Sequence, residues 1–197
     1  TTRHIAPASL PFVENFPSAN DFEGSWQSVS NNSNAKWGYN SWGSYPSDDG
    51  TGSVWCSTYT ACDSWLISPP LSLSSGDNHI KFFTHSVEGT TENISLFLGQ
   101  EADTAEMSQI AQTTVSSGEW QLRVFNFNVA KPGVYYIAFR TQSDGSGFSV
   151  NIDSVLVDKG AYELQPSLHV VKVLLPYSNC DLSDATPIGI RLSNTGT

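Results

Sequence analysis

The chain has 197 residues, with 19 acidic against 9 basic side chains and a formal charge of −10. This acidic balance excludes a nucleic-acid partner, because affinity for a phosphate backbone comes from clustered Lys and Arg. Aromatic residues make up 12% of the chain, which excludes a disordered protein. No apolar run approaches the roughly 20 residues that a membrane-spanning helix needs, so membrane insertion is excluded as well.

Short runs of alternating apolar residues predict an all-β protein. The run 135–140 places alternate apolar side chains on each of two faces. The runs 121–129 and 148–157 change phase midway, as a β-bulge would cause. Turn signals rich in Gly separate the last strands at 131–133 and 143–147. Many short strands with turns between them predict a β-sandwich or jelly roll.

Changes in composition divide the chain into four segments. Residues 1–9 are interpreted as an N-terminal linker, and 10–160 as one jelly-roll domain. Residues 161–166 form a second linker, and 167–197 begin a truncated second β domain of Ig-like type. That last segment offers two strands, which cannot bury an apolar face alone. We therefore expect it to pack on the first domain or on another copy of the chain.

The segment ending at Cys62 contains aromatic residues among Gly, Ser and Asn, which favours exposed loops. One face of a sugar ring is apolar and stacks on Trp or Tyr, while polar side chains bind the hydroxyl groups. Six residues are therefore predicted to bind a glycan: Trp42, Tyr45, Trp55, Tyr59, Asp48 and Asp49. A plain turn is the alternative for the two aspartates before Gly50. The remaining tryptophans are assigned to the core: Trp26, Trp37, Trp65 and Trp120.

Cys56 and Cys62 flank a short segment and could close a small loop as a disulfide. Two free thiols are the alternative, because only geometry decides the pairing. Cys180 is left over, either as a buried thiol or with a partner outside this chain.

No catalytic motif is present, and the four histidines are scattered along the sequence. Glu88 and Glu92 are an available carboxylate pair, but they flank a Gly-Thr-Thr turn and are interpreted as a solvated hairpin. Arg140 is expected to pair with an acid or to line a groove. The sequence predicts a protein that is not an enzyme.

Five motifs in order resemble the cleaved-adhesin family, the gingipain hemagglutinin-type modules of Bacteroidetes. They are PFVENF at 11–16, Trp37, DSWLISP at 63–69, YIAFR at 136–140 and NIDSV at 151–155. The resemblance implies a jelly-roll β-sandwich related to MAM-type modules. It also implies a secreted or outer-membrane-associated surface protein that adheres to host proteins or glycans.

The same resemblance implies a structural calcium between the first and last strands, with Glu14 and Asp153 as ligands. Pro17 stands where the family often has a second acid, and hydrogen bonding to backbone amides is the alternative for both carboxylates. Asp48, Asp49 and Asp63 could instead supply a calcium site in a loop, with a plain turn as the alternative for the first two. The segment 167–197 resembles the first strands of a CARDB or similar Ig-like domain, which implies neighbouring domains in a longer chain.

These observations predict a non-catalytic adhesion module that recognises glycans or glycoproteins. A structural spacer is one alternative, and it would bury the aromatic side chains that a binding module exposes. An accessory domain of a larger protease or glycosidase is the other.

Overall fold

The computed structural model describes residues 5–31, 35–41, 43, 52–87, 89–163, 168–175 and 189–194, the last two ranges as backbone only. The chain forms two compact units, Thr1–Tyr162 and Glu163–Thr197. Each unit is described separately below.

The described part of the first unit contains one short helix, α1 (Ala19–Ser25), among many strands. Its described strands are β1 (Phe12–Glu14), β2 (Gln27–Ser30), β3 (Gly38–Asn40), β4 (Ser53–Ser57), β5 (Ala61–Ile67), β6 (Leu71–Leu73), β7 (Gly76–Ser86), β8 (Glu92–Gly99), β9 (Ser108–Val115), β10 (Gln121–Val129), β11 (Gly133–Asp144) and β12 (Ser149–Lys159). No described helix is long and apolar enough to cross a membrane.

The strands form two antiparallel sheets, which face each other across one core. The front sheet has the order β10-β7-β12-β4-β3, and β1 pairs with the end of β12. The back sheet has the order β2-β5-β11-β8-β9, and β6 pairs with the start of β11. This arrangement confirms the predicted all-β jelly-roll sandwich.

The core consists of alternate side chains from the two inner faces. Full burial of each such side chain contributes about 1.5–3 kcal/mol relative to leaving it exposed. The largest fully buried apolar side chains are Phe16, Phe82, Phe139, Leu66, Ile67, Leu71, Ile80, Ile94, Leu96, Ile137 and Ile152.

One of the two predicted bulges is present. In β12 the register shifts between Asp153 and Leu156, and Ser154 there has a φ of 49°. The strand β10 pairs with β7 without a shift from Gln121 to Val129, so the bulge predicted for 121–129 is wrong. The apolar alternation along β10 changes phase because apolar residues also occupy the outer face of the front sheet.

The helix α1 was not expected, because it is only seven residues long. The Ser18 hydroxyl oxygen caps it by accepting a hydrogen bond from the Asp21 backbone N–H at 3.2 Å. Phe22 anchors it with an edge-on contact to Phe16, at 6.2 Å between ring centroids. A Ser followed three residues later by Asp was the available sequence signal.

Ala8 lies in the segment interpreted as a linker, but its backbone hydrogen-bonds to the chain on either side of Leu71 in the first unit. Its N–H donates to the Pro70 carbonyl, and its own carbonyl accepts from the Ser72 N–H, both at 2.8 Å. In the second unit, the described residues form one antiparallel pair, β13 (Leu168–Leu175) with β14 (Gly189–Asn194). The Ig-like assignment of this unit stays a prediction.

Candidate functional site

Trp55 projects from the outer face of the front sheet. Its neighbours in β4, Val54 and Cys56, are fully buried, so the alternation of a strand directs Trp55 away from the core. The side chain is 40% exposed, although a Trp in a strand usually packs inside. The sequence prediction of an exposed aromatic residue therefore agrees with the position of Trp55.

The sheet register places polar residues beside Trp55. Trp55 is paired with Gly38 on β3 and with Asn151 on β12. Asn151 is paired in turn with His85 on β7. Because paired residues share a face, Trp55, Asn151 and His85 form a row across the outer surface. We call this row, with Trp120 beside His85, the outer row.

A groove of about 530 Å³ lies along this row. Its described lining residues come from four strands and the loops beside them: Tyr39, Asn40, Ser41, Gly43, Trp55, His85, Phe148, Ser149 and Asn151. None of these lining residues is Asp, Glu, Lys or Arg. The groove combines aromatic rings with amide and hydroxyl groups, which is the usual chemistry of a small-ligand site.

Two exposed aromatic rings stand at one end of the groove. Tyr59 is 69% exposed and Phe148 is 52% exposed. Their rings meet edge to face at 6.2 Å between centroids, and the Thr58 N–H donates to the Phe148 carbonyl at 3.0 Å. The exposure of Tyr59 agrees with its predicted place among the ligand-binding residues.

His85 is fixed on the floor of the groove. Its Nδ1–H donates to the Ser86 carbonyl at 3.1 Å, and its ring contacts Trp120 at 4.3 Å between centroids. Burial lowers the pKa of His85 below its ordinary value of 6.5. The ring is therefore neutral at neutral pH, and Nε2 is an acceptor.

Trp120 corrects one core assignment. Trp26, Trp37 and Trp65 are buried as predicted, whereas Trp120 is half-buried and contacts His85 on the outer face. It comes directly before β10, an edge strand. The residue therefore borders the groove and does not fill the core.

Four of the six predicted glycan-binding residues, Trp42, Tyr45, Asp48 and Asp49, lie outside the described residues. The groove residues Tyr39, His85, Phe148 and Asn151 were missed by sequence reasoning. They are far apart in the chain, and only strand register brings them together. Their one available signal was position: His85 and Asn151 fall on the outward phase of their alternating runs.

Glu14 is hydrogen-bonded through both carboxylate oxygens. The Phe16 N–H donates to Oε1 at 2.8 Å and the Trp26 Nε1–H donates to Oε2 at 3.0 Å. Asp153 is fully buried, and its Oδ1 accepts from the Ser154 N–H at 2.6 Å.

The described residues contain no group of three or more His, Cys, Asp or Glu side chains placed to hold a metal. Calcium prefers six to eight oxygen ligands. Glu14 and Asp153 each accept a hydrogen bond from a backbone N–H, as the alternative interpretation expected. Calcium binding stays a prediction of the sequence.

Cys56 and Cys62 are free, buried thiols in the structure. They lie on β4 and β5, which belong to different sheets, and their side chains interact across the core. Burial raises the pKa of Cys56 to about 12 and also raises the pKa of Cys62. The predicted disulfide is not formed here, and it stays a prediction for oxidising conditions.

Glu92 overturns the interpretation of a solvated hairpin. Its side chain is only 2% exposed, and Oε1 accepts from the Thr58 hydroxyl at 2.7 Å and from the Phe148 N–H at 2.9 Å. The inward phase of β8 places it at the end of the core, beside the groove aromatics. Glu88 lies outside the described residues.

Arg140 pairs with an acid, as predicted. Its Nε and an Nη donate to the two oxygens of Asp63 at 2.7 and 2.8 Å. The guanidinium also lies over the Trp65 ring, 4.9 Å from its centroid. Asp63 is therefore engaged in an ion pair, which corrects its interpretation as a loop calcium ligand.

Comparison with known proteins gives fold-level matches only. No protein-family model and no curated protein matches the sequence. The K1 cleaved adhesin domain of Lys-gingipain from Porphyromonas gingivalis superposes with a TM-score of 0.61 at 15% identity, covering 76% of this chain and 98% of that one. The K2 domain gives 0.63 at 12% identity, covering 75% and 99%.

A second kind of module shares the fold. The CBM22-2 xylan-binding domain of Xyn10C from Paenibacillus barcinonensis gives a TM-score of 0.53 at 19% identity, covering 76% of this chain and 99% of that one. The structural matches thus include both adhesin and carbohydrate-binding modules. This chain therefore has the jelly-roll fold of the cleaved adhesin domains, as its sequence motifs predicted.

Proposed function

We propose that this chain is a non-catalytic module that binds glycans at the groove beside Trp55, as part of a secreted or cell-surface protein. The observation that carries the proposal is an exposed Trp on a sheet face, next to a groove lined by uncharged polar side chains. Fold similarity to a xylan-binding domain and to adhesin domains supports the same class of function.

The chemistry of the groove suits a sugar. The indole of Trp55 offers an apolar surface for stacking, and an aromatic side chain buries about 150–250 Å² when covered. The amides of Asn40 and Asn151 and the imidazole Nε2 of His85 can exchange hydrogen bonds with hydroxyl groups. Asn151 is only 5% exposed, and its Oδ1 accepts a hydrogen bond from the Asn40 Nδ2–H at 3.5 Å, which positions its amide at the floor of the groove.

Exposure of the aromatic residues favours binding over a spacer role. A spacer has no need for solvent-exposed aromatic rings, which cost free energy when left in water. Trp55 and Phe148 are instead exposed in the lining of one groove, and the exposed Tyr59 ring contacts Phe148. An accessory role beside a protease or glycosidase is compatible with the same groove, since such a domain would bind the enzyme's substrate.

A glycan array probed with the full chain tests the proposal. We expect binding that is lost in Trp55→Ala and retained in part in Trp55→Phe, which keeps an aromatic ring. Val134→Ala, an exposed position on the back sheet, serves as the surface control and should bind normally. A blank array for the wild-type chain, or binding that survives Trp55→Ala, would overturn the proposal and favour a protein ligand.

A further inference from the structure

The outer row crosses the front sheet from one edge strand to the other. Gly38 lies on the edge strand β3, followed by Trp55, Asn151 and His85 on successive strands. Gln121 of β10 is paired with Thr84, so Trp120 lies level with His85. The row therefore has an aromatic ring towards each edge of the sheet and polar groups between them.

The spacing of the two tryptophans exceeds one sugar ring. Neighbouring strands are about 4.8 Å apart, so three intervals place the Trp55 and Trp120 backbones about 14 Å from each other. This separation favours a ligand longer than one sugar ring. A chain of several sugars laid across the strands can contact both rings.

Among the described residues, no side chain closes the row beyond Trp55 at its β3 end. Gly38 carries no side chain, and a Cβ built there would lie 3.9 Å from Trp55 Nε1, in the space beside the ring. A ligand chain can therefore continue past Trp55 towards the sheet edge. This arrangement suits the interior of a chain better than its terminus.

The described groove residues also constrain the charge of the ligand. None of them is Lys or Arg, which would recognise a carboxylate or sulfate. His85 is neutral because burial lowers its pKa. The nearest acid acting on it is Glu119, which would repel an anionic sugar.

We propose that the ligand is the interior of a neutral polysaccharide, lying across the strands from Trp55 over Asn151 and His85 to a second aromatic contact at Trp120. This inference rests on the proposed function, and it names the class of glycan. It also assigns Trp120 to the ligand site. Trp120 does not belong to the buried core between the sheets.

Titration calorimetry with sugars of increasing length tests the proposal. The probes are mono-, di-, tetra- and hexasaccharides of neutral xylan, glucan, mannan and galactan, with oligogalacturonate as the charged counterpart of equal length. For the best neutral series, we expect the hexasaccharide to bind about tenfold more tightly than the disaccharide, as one further aromatic contact would allow. Oligogalacturonate should bind at least about tenfold more weakly.

Trp120 variants decide whether the second contact exists. Trp120→Ala should reduce the hexasaccharide affinity to that of the disaccharide and leave disaccharide binding unchanged, whereas Trp120→Phe should retain part of the gain. Val134→Ala is the control, and thermal unfolding checks that each variant is folded. Trp55→Ala should weaken every length.

Several results would overturn the inference while glycan binding stands. They are equal affinity for monosaccharide and hexasaccharide, a preference for oligogalacturonate, or a hexasaccharide affinity that Trp120→Ala and Trp120→Phe leave unchanged. Absence of binding to every sugar would overturn the proposed function together with the inference.

Discussion

Glu92 is a buried carboxylate that fixes the backbone next to the groove. We expect Glu92→Ala to lower the free energy of unfolding by about 3 kcal/mol, because the Thr58 hydroxyl and the Phe148 N–H lose their buried acceptor. Glu92→Gln keeps an acceptor oxygen and should cost about 1 kcal/mol. Urea unfolding measures both values.

The matched control is Glu106→Ala, at an exposed glutamate, which should change stability by less than about 0.5 kcal/mol. Equal stability of Glu92→Ala and Glu106→Ala would contradict the structural role of the buried carboxylate. Glycan affinity should fall only in the Glu92 variants, since Phe148 lines the groove.

The Asp63–Arg140 pair makes stability depend on pH. Hydrogen bonds from Arg140 lower the pKa of Asp63 from its ordinary value of 3.8. A carboxyl group with a lower pKa in the folded state stabilises the fold above its unfolded pKa, and this contribution is lost as the pH falls through the folded pKa.

We expect Arg140→Met to lose about 2 kcal/mol at pH 7, since the ion pair and the contact with Trp65 both disappear. Urea unfolding across the acid range should show the difference from wild type narrowing below about pH 4. A difference that is constant with pH would show that packing alone explains the loss.

Glu14 offers a direct test of calcium. Glu14→Gln should lower the free energy of unfolding by about 1–3 kcal/mol, because one of the two N–H donors then faces an amide NH₂ group. The hydrogen bonds need no metal, so we expect the same loss in calcium and in chelator, measured by thermal unfolding. A loss of stability that appears in calcium but not in chelator would identify Glu14 as a metal ligand.

At the scale of elements, Cys56 and Cys62 connect the two sheets. Oxidation by a disulfide reagent would join the thiols, with release of two reduced thiols from the reagent. We predict this bridge on refolding under oxidising conditions, with a gain of about 2 kcal/mol for such a short loop. Intact mass in a Cys180→Ser background should show the loss of two hydrogens.

The folded, reduced protein should behave differently. Burial keeps the pKa of Cys56 at about 12 and raises that of Cys62, so the reactive thiolates are scarce. Alkylation should be slow in buffer and fast in urea. Rapid alkylation of the folded protein would contradict the buried positions of these thiols.

Elements differ in how far their sequence determines them. Alternation correctly predicted the two faces of β11, where Ile137 and Phe139 join the core and Arg140 points outward to Asp63. It failed for β10, because apolar residues on an outer face imitate a bulge. The helix α1 escaped detection because capping, not periodicity, defines so short a helix.

The groove shows a different limit. Sequence reasoning grouped Trp55 and Tyr59 with the loop aromatics, but Trp55 lies in strand β4, and the binding role of both residues stays a prediction. It could not place His85 beside Asn151, because 66 residues separate them in the chain (151 − 85) and only the register of β7 with β12 joins them. It also assigned Trp120 to the core, because a Trp beside a strand motif is usually buried.

At the scale of the whole molecule, the first unit carries both the core and the groove. The buried apolar residues and the groove residues that the structure describes lie between residues 5 and 162. Its two sheets cover each other's inner faces, so it meets the requirement for independent folding. We therefore predict that residues 1–162 alone unfold cooperatively and bind the same glycan with the affinity of the full chain.

Thermal unfolding and titration calorimetry of residues 1–162 and of the full chain measure the cooperativity of unfolding and the glycan affinity. The Trp55→Ala variant of residues 1–162 is the binding control, and it should unfold like its parent but bind nothing. If residues 1–162 fail to unfold cooperatively, the core seen in the first unit is insufficient. If they fold but lose affinity, residues 163–197 are required for full binding, and the prediction is wrong.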